Sequence, residues 1–186
     1  MWLICGECVH HLKVGLGDVV EMILIDEGQR YDANHPFHLH GYSFRVIGMD
    51  RLNKSTSKEE VMELDRQDRL PRNLNKTAVA KDSVTVPDGG YVIIRFHANN
   101  PGFWMLHCHI SFHNQIGMGL IVQVGEIHQM PKKPKNFPRC GMWKFSGYDD
   151  ETNNKPQCTS GSQNITTGNM LSVVALLVTL LGKKLL

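Results

Sequence analysis

The sequence predicts an all-β protein, a sandwich or barrel with one polar insert and a C-terminal tail. Three observations predict it. Short runs of β-branched and aliphatic residues recur between residues 12 and 124, glycine, proline and aspartate punctuate them, and a helix start signal stands inside the insert. Residues 12–14 and 19–25 are the first strands, separated by Gly15 and Gly17 and closed by the turn-like Asp26-Glu27-Gly28. Residues 44–49 form another apolar run of strand length. Residues 50–76 are the polar insert, in which Ser57-Lys-Glu-Glu60 reads as a capping box opening a short helix to about Leu64. Residues 83–86 are a strand ending at the turn Pro87-Asp-Gly-Gly90, and residues 91–96 and 119–124 are two more. Beyond Glu126, the basic, proline-broken segment Met130-Pro-Lys-Lys-Pro-Lys135 is a solvated strap. There is no internal repeat.

The chain has 186 residues, 41% hydrophobic and 20% charged, which is globular composition and excludes wholesale disorder. Twenty basic against eighteen acidic side chains leave a net charge of +2, which argues against a nucleic-acid partner. We divide the chain into an N-terminal edge (1–11), one domain (12–126), the strap and linker (127–162) and a hydrophobic C-terminal signal (163–186).

Several signals point to a secretory route. Apart from Cys108, the cysteines are Cys5, Cys8, Cys140 and Cys158, an even set that suits two disulfides in any of three pairings. Cys5 and Cys8 also spell CxxC, but strands rather than a thioredoxin-like helix follow them. Asn53, Asn75 and Asn164 each begin a glycosylation sequon in a polar stretch. Met1-Trp-Leu-Ile is too short an apolar run for a signal peptide, so we expect a chain truncated at its N-terminal side. The tail has no charged residue from Pro156 to Gly182. Small residues Ser160, Gly161 and Ser162, a polar spacer at 163–169 and an apolar run at 170–181 follow the order of a GPI attachment signal. That run is too short to span a bilayer, which leaves a membrane-dipping tail as the plainer reading, and Lys183-Lys184 resembles a dilysine retrieval signal that would need a spanning helix.

The chemistry lies in the histidines. Six of the ten fall in two clusters, His35-Pro-Phe-His38-Leu-His40-Gly41 and His107-Cys108-His109-Ile-Ser-Phe-His113, the second followed by Met118. Extended chain alternates faces, so His38 and His40 share one side, as do His107 and His109, while Cys108 points the other way. One strand can thus serve two metal sites. His113 and Met118 can return to the thiolate side through a turn or short helix. Two histidines, a cysteine and a weak axial methionine are the ligand set of blue copper, and the remaining all-imidazole set suits copper that handles oxygen. Zinc is the competing metal, but zinc-finger spacing is absent and zinc gives no reason for Met118. His10, His11, His97 and His128 lie outside the clusters and read as surface or satisfied core residues.

These two motifs, HPFHLHG and HCHISFHNQIGMGL, resemble the C-terminal copper motifs of the multicopper oxidases, in wording especially similar to animal, notably insect, laccase-like members. The resemblance covers roughly residues 12–126. It implies a cupredoxin-like Greek-key domain, the third of three, with copper as cofactor, four ions in the complete enzyme. By motif position, His35, Cys108, His113 and Met118 would hold type 1 copper, His38 type 2 copper, and His40, His107 and His109 the type 3 pair. It further implies one-electron oxidation of phenols or catechols, or of Fe(II), with an electron path from His113 and Cys108 through His107 and His109, and reduction of dioxygen to water. The family's oxygen site uses eight histidines and this chain supplies four, so the N-terminal cupredoxin domains are required partners. For Fe(II), carboxylates near the type 1 histidines are needed. Asp32 is the candidate, with Asp26 and Glu27 nearby, against the ordinary reading of a solvated turn. The alternative function is a stand-alone copper-binding or electron-transfer module, or an inactive fragment.

Overall fold

The apolar runs pair into two sheets packed face to face. The computed structural model describes residues 10–28, 33–52, 56–75, 77–135 and 137, and the backbone of residues 174–180. In chain order the elements are β1 (His11–Val14), β2 (Val19–Asp26), β3 (His35–Leu39), β4 (Phe44–Arg51), α1 (Lys58–Arg66), β5 (Ala80–Lys81), β6 (Ser83–Val86), β7 (Gly90–His97), β8 (Gly102–Cys108), α2 (Ser111–Gln115), β9 (Gly119–Val124) and β10 (Val174–Leu180). One sheet runs β1-β9-β8-β3-β6 and the other β10-β2-β7-β4-β5. Every neighbouring pair is antiparallel except β1 with β9.

The core between the sheets follows the period-2 rule. Phe37, Leu39, Leu106, Cys108, Val122 and Val124 face inward from the first sheet, and Val20, Met22, Leu24, Val92, Ile94 and Phe96 face them from the second. β2 is buried along its whole length, because its other face is covered too. Ile23, Ile25, Tyr91 and Ile93 on that face pack under Val61 of α1, Leu70 and Ala78. The polar insert is therefore a cover for the outer face of the second sheet. Glu21 lies on this covered face and is clamped by two guanidinium groups, Arg72 Nη2 at 2.9 Å and Arg95 Nη2 at 2.6 Å. Arg72 also reaches Asp65 of α1. This pairing lets a carboxylate sit in a nearly dry layer.

The helix begins where its cap predicts. Ser57 Oγ accepts the Glu60 N–H at 3.1 Å, and Glu27, just past the end of β2, accepts the Lys58 N–H at 3.0 Å. α1 ends at Arg66, two residues past the predicted end. The six strand runs read from the sequence are all present. β3 and β8 were expected only as extended chain, since histidines and small or aromatic residues break their apolar patterns. β5 had no sequence signal. Residues 174–180, inside the expected tail signal, lie antiparallel on β2, in register from Val174 opposite Asp26 to Leu180 opposite Val20. Among the described residues no helix is long and apolar enough to cross a membrane.

Candidate metal centre

Antiparallel pairing of β3 with β8 brings the two histidine clusters together. His38 stands opposite His107, Phe37 opposite Cys108 and Leu39 opposite Leu106. The pleat then sorts the side chains. His35 and Cys108 turn inward and are buried, whereas His38, His40, His107 and His109 turn to the other face of the sheet.

On the inner side, α2 supplies the third group. His35 Nδ1 and His113 Nδ1 are 3.1 Å apart, and Cys108 Sγ lies 3.9 Å from the first and 3.6 Å from the second. These three donor atoms all fall within 4.8 Å of one another. Backbone hydrogen bonds fix the loop that returns to them. Cys108 N donates to Met118 O at 2.9 Å, Met118 N donates to His113 O at 3.0 Å, and Gly117 makes the turn at φ +108°. Met118 itself is partly buried against the core.

Burial favours the neutral form of both kinds of donor. Burial pushes the Cys108 thiol up, against a smaller opposing hydrogen bond with the backbone at Ile110. Burial, and then the neighbouring His35, hold His113 below the ordinary imidazole range, so it is neutral and free to donate its lone pair. Two imidazole nitrogens and a soft thiol that converge without an acceptor between them form a donor set fitted to copper, with zinc as its chemical competitor.

The outer side holds four imidazoles. Ring centroids of His38 and His40 are 4.7 Å apart, those of His40 and His107 5.2 Å, and those of His107 and His109 5.7 Å. His40 Nε2 and His107 Nε2 face each other at 3.0 Å. The opposite nitrogens are tied to the protein: His107 Nδ1 to Cys108 O at 3.0 Å, and His38 Nδ1 to Asp82 O and Ser83 Oγ at 2.9 Å each. Such ties fix ring orientation and leave Nε2 for a ligand. Burial, followed by the charges of His38, His107 and His109, lowers the pKa of His40. His40 and His109 are exposed, so this face is open.

The structure thus brings together all seven expected imidazole and thiol ligands in two groups. His10, His11, His97 and His128 are exposed and apart, as expected. Asn75 is exposed in a turn, whereas Asn53, Asn164, Asp32, Cys5, Cys8, Cys140 and Cys158 lie outside the described residues. The solvated-turn reading fails for Asp26. It is the last residue of β2, 0% exposed, with Oδ2 3.2 Å from His35 Nε2. Its phase could have shown this, since residue 26 continues the inward series Val20, Met22, Leu24. Glu27 is occupied at the helix start. Asp82 and Ser83, which hold His38, carried no sequence signal.

A family profile described as multicopper oxidase matches residues 4–128. Laccase-4 of Arabidopsis thaliana is 33% identical over 133 residues, covering 69% of this chain and 22% of its own length. Laccase-8 of Oryza sativa subsp. japonica is 35% identical over 138 residues, again covering 69% and 22%. A multicopper oxidase from Campylobacter jejuni is structurally similar, with a TM-score of 0.45, 25% identity, and coverage of 62% of this chain and 20% of that one. The chain therefore spans about a fifth of the length of the relatives it matches. Two sheets with an inward cysteine between outward histidines define a laccase-like cupredoxin domain. The chain belongs to the multicopper oxidase family, whose cofactor is copper. The relatives named are plant laccases, so the family expectation holds while the expected animal, insect-type likeness is not what the comparisons found.

Proposed function

We propose that this chain supplies the C-terminal copper domain of a laccase-like oxidase. His35, Cys108, His113 and Met118 would hold type 1 copper. His38 would serve type 2 copper, and His40, His107 and His109 the type 3 pair. The observation that carries this reading is the convergence of His35, Cys108 and His113 on one side of a strand whose neighbouring histidines cluster on the other.

When bound, copper supplies one-electron oxidation on the inner side and, in the complete enzyme, reduction of dioxygen to water on the outer side. The chain's own residues do the rest. His113 is partly exposed and offers a reducing substrate its closest approach. Cys108 is joined covalently to His107 and His109, so the path between the two sites is one residue long in either direction. Burial of Cys108 and His35 keeps water from the thiolate. The outer four imidazoles are half of the set such an oxygen site needs, and N-terminal cupredoxin domains are the partners that would bring the others. Phenols or catechols are the substrate class we favour. For Fe(II), Asp32 is the candidate carboxylate of this chain, since Asp26 is buried and Glu27 holds the helix start, and the other domains would supply much of the pocket. Sequons and cysteines support a secreted or cell-surface enzyme, and a GPI anchor would need processing at residues 160–162 that removes β10 from the second sheet. A stand-alone electron carrier is the second reading, and the outer histidine cluster speaks against it because a carrier needs only the inner set.

The test is copper loading of the full chain, with metal content, visible absorption and EPR. We expect an intense thiolate-to-copper band with about one tightly held copper per chain, and loss of the band in Cys108→Ser. A wild-type chain that binds copper without that band would reject the type 1 assignment.

A further inference from the structure

Asp26 and His35 form a buried pair that the copper reading above does not use. Asp26 is 0% and His35 1% exposed, and Oδ2 of the first lies 3.2 Å from Nε2 of the second. Neither atom makes a hydrogen bond among the described residues, so this ion-pair-distance contact is all that faces either of them. The other carboxylate oxygen, Oδ1, accepts the Gly28 N–H at 2.8 Å, which fixes the side chain. A dry carboxylate is costly to keep unless something it contacts needs it.

The two nitrogens of His35 point to different tasks. Nδ1 faces His113 Nδ1 at 3.1 Å and Cys108 Sγ at 3.9 Å, and Nε2 faces the carboxylate. A carboxylate oxygen accepts, so the proton of a neutral His35 belongs on Nε2 and the lone pair on Nδ1. The pair also crosses the sandwich, since Asp26 ends β2 in one sheet and His35 begins β3 in the other.

We propose that Asp26 is a positioning residue of the inner copper site: it holds the proton of His35 on Nε2, fixes the ring, and strengthens Nδ1 as a donor. This rests on the copper reading of the site. A negative charge behind the ligand favours Cu(II) over Cu(I), so Asp26 lowers the reduction potential. Asp26→Asn keeps the shape and removes the charge. In the copper-loaded full chain it should weaken Cu(II) relative to Cu(I) about tenfold, a rise in potential of about 59 mV, with an altered EPR spectrum. An unchanged potential and spectrum, with only a lower melting temperature, would make Asp26 a purely structural residue and overturn the proposal. Nitrogen-15 NMR of the metal-free wild-type chain tests the same point without a variant. The expected His35 signals are a protonated Nε2 and a bare Nδ1, and the opposite tautomer overturns the proposal. Absence of the visible band in the wild-type chain would instead sink the copper reading, while the tautomer still reports whether Asp26 governs His35.

Discussion

Gly41 follows His40 with φ +73°, and a Cβ placed there would run into the Trp104 ring. Trp104 is in turn held by its indole N–H to Asn100 O at 2.9 Å, and Asn100 Nδ2 donates to Gly41 O at 3.1 Å. The turn that aims His40 at His107 thus needs a residue without a side chain. Gly41→Ala should cost about 1–3 kcal/mol from the left-handed backbone and the overlap together, measured by urea denaturation. The motif spelled His40-Gly41 in the sequence, yet its reason lay sixty-odd residues downstream, where no local pattern reaches. The sorting of the histidines and Cys108 onto two faces was legible for a simpler cause: alternation along a strand is a local rule, and His107-Cys108-His109 states it in three residues. Asp26 was misread because it sits beside Glu27 and Gly28, and a turn signal outweighed the inward phase of β2.

At the scale of elements, the insert and β2 depend on each other. α1 is short, so its first turn matters, and Ser57→Ala should lose about 1 kcal/mol by leaving the Glu60 N–H without its acceptor. Glu21 is the firmer link. Its removal in Glu21→Ala would leave Arg72 and Arg95 facing each other on a covered surface, and we expect a loss of about 3 kcal/mol in chemical denaturation. A charged residue in the middle of an apolar strand gave no hint of its two partners, because Arg72 and Arg95 come from distant parts of the chain. The capping box and most strands were legible from pattern alone. β3 and β8 were not, since histidines occupy the positions where an apolar period would have shown.

For the whole molecule, pH acts through the imidazoles. His40 and His113 have folded values below 6.5. The unfolded chain therefore binds more protons than the folded one in the interval just beneath that value, and stability rises with pH there. Metal-free protein should be most stable above pH 6.5 and lose stability as pH falls through the lowered folded values. Urea midpoints at about pH 8 and about pH 5 measure it, and replacing His40 and His113 with Gln should flatten the difference. Oxygen uptake belongs to the same scale. The copper-loaded chain alone should consume little dioxygen, and uptake should appear when N-terminal cupredoxin domains of a relative are added, read with an oxygen electrode.

The alternation of residues 107–109 has one more consequence. Peptide geometry sets the separation between the inward thiolate and the outward imidazoles, and peptide geometry does not breathe. If the chain works beside further cupredoxin domains as proposed, a shift against them would open or close the outer imidazole face while leaving the thiolate-to-imidazole distance as it was. On the proposed function, the relay would be a property of one polypeptide and the oxygen site a property of the assembly. The first can be tuned by substitutions within this chain, and the second only by changing how domains meet.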